Sequence, residues 1–187
     1  MYETSDFRNG LKIEFDNQPY VIIEFQHVKP GKGNAFTRTR IRNLQNGRTL
    51  TPTFKSGEKV KVPDVEEKTM TYLYPEGDSC AFMDTTSYEQ VTIARAALGE
   101  QARFLKENVE CQVVFWNQRP ITIDLPNHMN LKVTATSPGF RGDTATGSSK
   151  PATLETGTQI NVPLFINEGD VLRVDTRSGE YVERVNQ

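Results

Sequence analysis

The chain has 187 residues, 36% hydrophobic and 25% charged, which gives it enough apolar content to bury real cores and excludes a disordered or fibrous polypeptide. Its net charge of −2 argues against a uniformly basic nucleic-acid binder, but the average hides an asymmetry. Lys plus Arg against Asp plus Glu runs 11 to 6 over residues 1–63, 5 to 11 over 64–128 and 6 to 7 over 129–187, so the first third is suited to a polyanion and the middle third to solvent or a basic partner.

The apolar runs, such as residues 20–23 and 113–116, are only strand-length, and residues 1–6 are polar and acidic. Neither a membrane span nor a signal peptide is expected, and the chain reads as a cytoplasmic protein. Cys80 and Cys111 are too few for a disulfide framework, and with His27 and His128 they lack companions at metal-ligand spacing. Two buried, reduced thiols and no metal are expected.

Taken in chain order, the first third predicts strands at residues 11–15, 20–28, 35–44 and 48–54, with turns at Asp16-Asn17 and Asn46-Gly47. These suffice for one small barrel, closed by a charged linker near position 63. The middle third predicts strands at 68–74, 80–84, 88–92, 109–116 and 120–124. A helix is expected over 94–108, where Leu98, Ala102 and Leu105 recur at spacings of four and three. Five strands and one helix suit an OB-type barrel. Leu125-Pro126-Asn127 marks a second boundary, because proline cannot continue a central strand. The last third predicts strands near 131–136, 159–162, 171–175 and 181–185, a second OB-type barrel. The fold expected is all-β, three small barrels in tandem over 1–63, 64–128 and 129–187.

The distinctive local feature is Lys29-Pro30-Gly31-Lys32-Gly33-Asn34, between two predicted strands. Pro30 fixes φ and the glycines carry no side chain, so Lys32 is expected bare at a hairpin tip. An ordinary exposed turn lysine is the bland alternative. Downstream, period-two alternation puts Arg38, Arg40 and Arg42 on one strand face. With Lys29 and Lys32 they make a stripe of five cations with no acid in it, which favours an RNA backbone over a generic surface. A nucleotide-binding P-loop fails on spacing here, and Gly139–Thr144 puts Asp143 where that motif needs lysine. No nucleophile, base and orienting group occur together, so no catalytic side chain and no cofactor are assigned.

Lys29-Pro30-Gly31-Lys32-Gly33, with Ala35-Phe36 and Arg42-Asn43-Leu44, resembles the N-terminal signature of the bacterial elongation factor P family. Lys150-Pro151-Ala152, Thr156-Gly157, Val162-Pro163, Gly169, Gly142-Asp143-Thr144-Ala145 and Gly179-Glu180-Tyr181-Val182 with Arg184 are similar to the C-terminal signatures. The resemblance implies a KOW-like, SH3-like barrel followed by two OB folds in an L-shaped tRNA mimic. It implies a monomeric, non-enzymatic factor that binds the ribosome between the P and E sites, against 23S and 16S rRNA and ribosomal proteins, and relieves stalling at consecutive prolines. Lys32 would be the lysine extended by a separate modifying enzyme and held beside the CCA end of the P-site peptidyl-tRNA. Lys29, Pro30, Gly31, Gly33, Arg38, Arg40 and Arg42 would flank that contact, and Gly142, Asp143, Thr144, Tyr181 and Arg184 would meet the small subunit and the E site. An OB-fold RNA binder unrelated to peptidyl transfer is the alternative reading.

Overall fold

Residues that alternate apolar and polar at period two form strands, and the computed structural model, which describes residues 1–139 and 149–185, is accordingly built almost wholly of antiparallel strands. They pack as two compact units, Met1–Lys68 with Val113–Thr122, and Thr69–Gln112 with Ile123–Gln187. No helix among the described residues is long and apolar enough to cross a membrane.

In the first unit, β1 (Tyr2–Glu3), β2 (Lys12–Phe15), β3 (Gln18–Val28), β4 (Phe36–Asn43), β5 (Thr49–Leu50), β6 (Thr53–Lys55) and β7 (Lys59–Val60) follow one another. Their sheet runs β2-β3-β4-β5, with β6 also pairing β4 and β1 pairing β7. Asp16 and Asn17 both take positive φ (49° and 58°) in the β2–β3 turn, the geometry that matches the strands' own twist. One face buries Phe7, Leu11, Ile13, Tyr20, Ile22, Ile41, Phe54 and Val60, with Phe7 and Phe54 edge to face at 5.3 Å. The strand expected over 48–54 is broken in two at Thr51-Pro52. Proline has no N–H for the ladder, and the Pro52 carbonyl instead accepts from Thr39 N at 3.2 Å and Thr39 Oγ1 at 2.7 Å.

The β3–β4 ladder is irregular once. Ile22 pairs with Ile41 and Glu24 with Arg40, so Ile23 is an extra residue without an opposite number, a β-bulge. Beyond it the pairs Phe25–Thr39, Gln26–Arg38, His27–Thr37 and Val28–Phe36 continue to the loop.

A second sheet comprises β8 (Val65–Glu76), β9 (Ser79–Asp84), β10 (Gln90–Ala94), β11 (Glu110–Trp116) and β12 (Arg119–Asp124), in the order β10-β9-β8-β11-β12. Here β10 starts later than expected, because Tyr88 sits in the preceding turn with φ +62°. The helix expected over 94–108 is much shorter. One α-turn, α1 (Arg95–Leu98), stops at Gly99 (φ +60°, ψ −140°) and a 3₁₀ stretch, Gly99–Phe104, follows. Leu98, Ala102, Phe104 and Leu105 are still buried, since a period of three groups apolar residues nearly as well as 3.6.

The third sheet comprises β13 (His128–Thr136), β14 (Ser149–Leu154), β15 (Gln159–Pro163), β16 (Val171–Asp175) and β17 (Glu180–Val185), in the order β15-β14-β13-β16-β17. Strand β14 was not among the expected strands, and Pro151 lies inside it. It nevertheless pairs with β13 on one side and β15 on the other.

Candidate functional site

The last pair of the β3–β4 ladder is Val28 with Phe36, so residues 29–35 form the loop at the hairpin's end. Lys29, Pro30, Gly31, Lys32, Gly33 and Asn34 are all exposed, whereas Ala35 and Phe36 are half-buried. The loop's base is tied down where Ser56 N donates to Ala35 O at 3.1 Å. Gly33 takes φ +103°, a conformation a side chain would strain, and a Cβ built there would lie 4.0 Å from the Pro30 ring. Gly31 differs. Its φ is ordinary and a Cβ there would meet nothing within 4 Å, so nothing inside the molecule requires glycine at that position.

Among the described residues no acidic side chain pairs with Lys29 or Lys32. Strand β4 carries the expected alternation: Thr37, Thr39, Ile41 and Asn43 are buried and Arg38, Arg40 and Arg42 exposed. The stripe free of acid in the sequence is not free of acid in space. Register places Glu24 opposite Arg40, with Oε1 3.4 Å from Nη1. Both side chains are solvated, so the pair is worth at most about 1 kcal/mol and leaves Arg40 available to a phosphate. The Arg38 guanidinium lies over the Phe36 ring at 5.4 Å. Beside these arginines, Phe25, Gln26, Thr51 and Thr53 help line an open groove of about 740 Å³.

What supports the stripe from below escaped sequence reasoning. The buried threonines are satisfied by side-chain bonds, Thr37 Oγ1 with His27 Nδ1 at 2.8 Å and Thr39 with Pro52. The Asn43 amide donates to Gln18 Oε1 at 2.5 Å, while its Oδ1 accepts from Gln45 N and Asn46 N. A run of buried Thr and Asn on a β-branched strand was the only available signal. Phe115, an aromatic that an OB-type RNA binder would expose, is buried, with the Lys68 ammonium 5.0 Å from its ring centre; it offers no free face for a base.

Of the C-terminal candidates, Gly142, Asp143 and Thr144 lie outside the described residues. Tyr181 is half-buried on β17 opposite Val174. Arg184 is exposed, its Nη1 3.8 Å from Asp170 Oδ2 and its guanidinium over Phe165 at 5.4 Å. These two residues belong to a different compact unit from Lys32. Lys150, read from the sequence only as part of a motif, is buried and donates to Ser137 O at 2.5 Å.

Comparisons with known proteins cover nearly the whole chain. Residues 3–60 match the family described as the elongation factor P (EF-P) KOW-like domain, residues 65–123 the elongation factor P (EF-P) OB domain and residues 129–184 elongation factor P, C-terminal. Elongation factor P of Bdellovibrio bacteriovorus is 54% identical over 187 residues, covering 100% of both chains. That of Rhodococcus erythropolis is 50% identical over 186 residues, again 100% of both. The solved structure of eukaryotic translation initiation factor 5A from Methanococcus jannaschii superposes with a TM-score of 0.52 at 20% identity, covering 66% of this chain and 93% of that one, a likeness of fold. With three successive domain matches and full-length relatives at half identity, this chain belongs to the elongation factor P family of translation elongation factors.

Proposed function

We propose that the protein binds the ribosome between the P and E sites and stimulates peptide-bond formation at consecutive prolines, with Lys32 ordering the CCA end of the peptidyl-tRNA. The observation that carries this reading is Gly31: a bare backbone with open space around it, beside an exposed lysine that no acid pairs among the described residues, at the end of a hairpin. A glycine without an internal reason marks where something external comes close. Lys29 and the exposed Arg38, Arg40 and Arg42 supply cations for the phosphates of rRNA or of the tRNA acceptor end. Tyr181 and Arg184, with residues 142–144, meet small-subunit RNA at the E site. The working domains are 1–63, 64–128 and 129–187.

The chemistry asks no proton transfer of this chain. Proline is a rigid secondary amine with fixed φ, so peptidyl-proline and incoming prolyl-tRNA align poorly for attack. A factor that holds the P-site CCA end in a near-attack arrangement lowers the entropic part of the barrier without touching the reacting atoms. Lys32, extended by a separate lysine-modifying enzyme, is the group that reaches the CCA end.

The test is Lys32→Ala. Because the side chain is exposed and has no ion pair among the described residues, folding stability should change by less than about 0.5 kcal/mol, while synthesis of a polyproline reporter in a reconstituted translation system falls to the level without factor. Full rescue by the variant would refute the assignment. Intact-mass measurement of protein from its native host reports any addition at Lys32.

A further inference from the structure

The β16–β17 turn ends at Gly179, whose φ is +77° and whose N–H donates to Asp175 O at 2.8 Å. The turn itself is stiff. The Asp175 carboxylate accepts from Arg177 N at 2.8 Å and Arg177 Nη2 at 3.0 Å, and Thr176 Oγ1 donates to Pro126 O at 2.6 Å. A Cβ on Gly179 would collide with the Arg103 guanidinium and come within 3.5 Å of the Phe104 ring. The guanidinium thus occupies the space that any side chain at 179 would need. It also lies over the Phe104 ring, 4.7 Å from its centre, its Nη1 donates to Glu100 Oε2 at 3.1 Å, and its Nε is buried with no acceptor among the described residues. Glu100 is 88% exposed, so that bond holds the group only weakly, and packing between ring and glycine contributes to where it sits. Two more bonds join the same stretch to the third sheet. Thr156 Oγ1 donates to Arg103 O at 2.7 Å, and Lys106 Nζ lies 3.1 Å from Glu155 Oε1.

We infer that Arg103 is a positioning residue: seated on Gly179, it fixes where β17 begins and thereby holds Tyr181 and Arg184 in the register with which they meet RNA. For its functional consequence the inference rests on the contact role proposed above for those two residues. It gives Gly179 and Thr156, prominent in the C-terminal motifs, a concrete task as the seat and the latch of one guanidinium-bearing turn. The chemistry is specific to arginine, since a planar guanidinium fits between a ring and a bare Cα where a lysine ammonium does not.

A double-mutant cycle tests it. In the full-length protein, Gly179→Ala, Arg103→Ala and the double variant are compared by amide hydrogen exchange and by affinity for purified ribosomes stalled on proline codons. Each single change should speed exchange of β17 amides by about tenfold while β14 and β15 keep their protection, and should weaken ribosome binding several-fold. The double variant should be no worse than the worse single, because the side chain that a new Cβ would strike has gone. Additive losses in the double would overturn the seat, as would unaltered β17 exchange in Arg103→Ala, which introduces no clash and reports even where Gly179→Ala fails to fold. Arg184→Ala separates the two readings. If it leaves ribosome affinity unchanged, the contact role falls, while the exchange data still decide the seat.

Discussion

Two hairpins of the molecule are built alike and end differently. The β3–β4 hairpin ends in an exposed loop whose lysine has no ionic partner among the described residues, whereas the β16–β17 hairpin ends in a turn stiffened from within by Asp175 and bound through Thr176 and Gly179 to the segments around it. Glycine stands at both ends for opposite reasons. At Gly31 a side chain would meet open space, and at Gly179 it would strike Arg103. Glycine in a sequence motif therefore does not announce its role; the surroundings of the missing Cβ do. An open surround with an ordinary φ, as at Gly31, points to a partner, and a filled one points inward.

The comparison can be broken by substitution. The largest effect on stability is expected at the root of the free hairpin. Ile41 is fully buried, and Ile41→Ala should cost about 2–5 kcal/mol in chemical denaturation, showing that the tip is free only because its base is packed. Next, Gly179→Ala should lose about 1–2 kcal/mol from the left-handed backbone alone, with the collision on Arg103 in addition. Gly31→Ala should stay within about 0.5 kcal/mol of the parent and yet impair polyproline synthesis; a loss of stability comparable to Gly179→Ala would abolish the contrast.

The smallest effect is one of pH. Hydrogen bonds from Arg177 hold the Asp175 carboxyl down to about 2, below its ordinary 3.8. A depressed carboxyl stabilises the fold above its unfolded value, so this contribution is intact above about pH 4 and is lost as pH falls toward 2. Asp175→Asn should flatten that part of the acid unfolding profile, with no matching change when Lys32 is replaced. At the alkaline end, burial pushes the Cys111 thiol up to about 12, so the folded protein should resist alkylation at pH 8 and label only on unfolding.

Much of this was legible in the sequence because it is local. Alternation along 36–43, the Asp16-Asn17 turn and the bare lysine loop follow from period, backbone freedom and spacing within a few residues. What was not legible depends on register or on distance along the chain. Glu24 faces Arg40 only because the ladder pairs them, and Arg103 meets Gly179 only in the folded unit. Strand β14 contains Pro151, and pairing with β13 and β15 holds it despite the missing N–H. The helical segment was overextended because a 3₁₀ stretch buries the same residues an α-helix would.

The unpaired Ile23 has a consequence for aim. A bulge bends its strand and adds local twist, so the heading of the outer half of the hairpin, and of the ammonium at its end, is decided before residues 24–28 carry the strand to the loop. Excising Ile23 would leave Ile22 opposite Ile41 and Glu24 opposite Arg40, a regular ladder with every later partner preserved. Such a shortened chain would fold and present the same lysine in a different direction, making the trajectory of the probe, independently of its chemistry, an adjustable property of one residue.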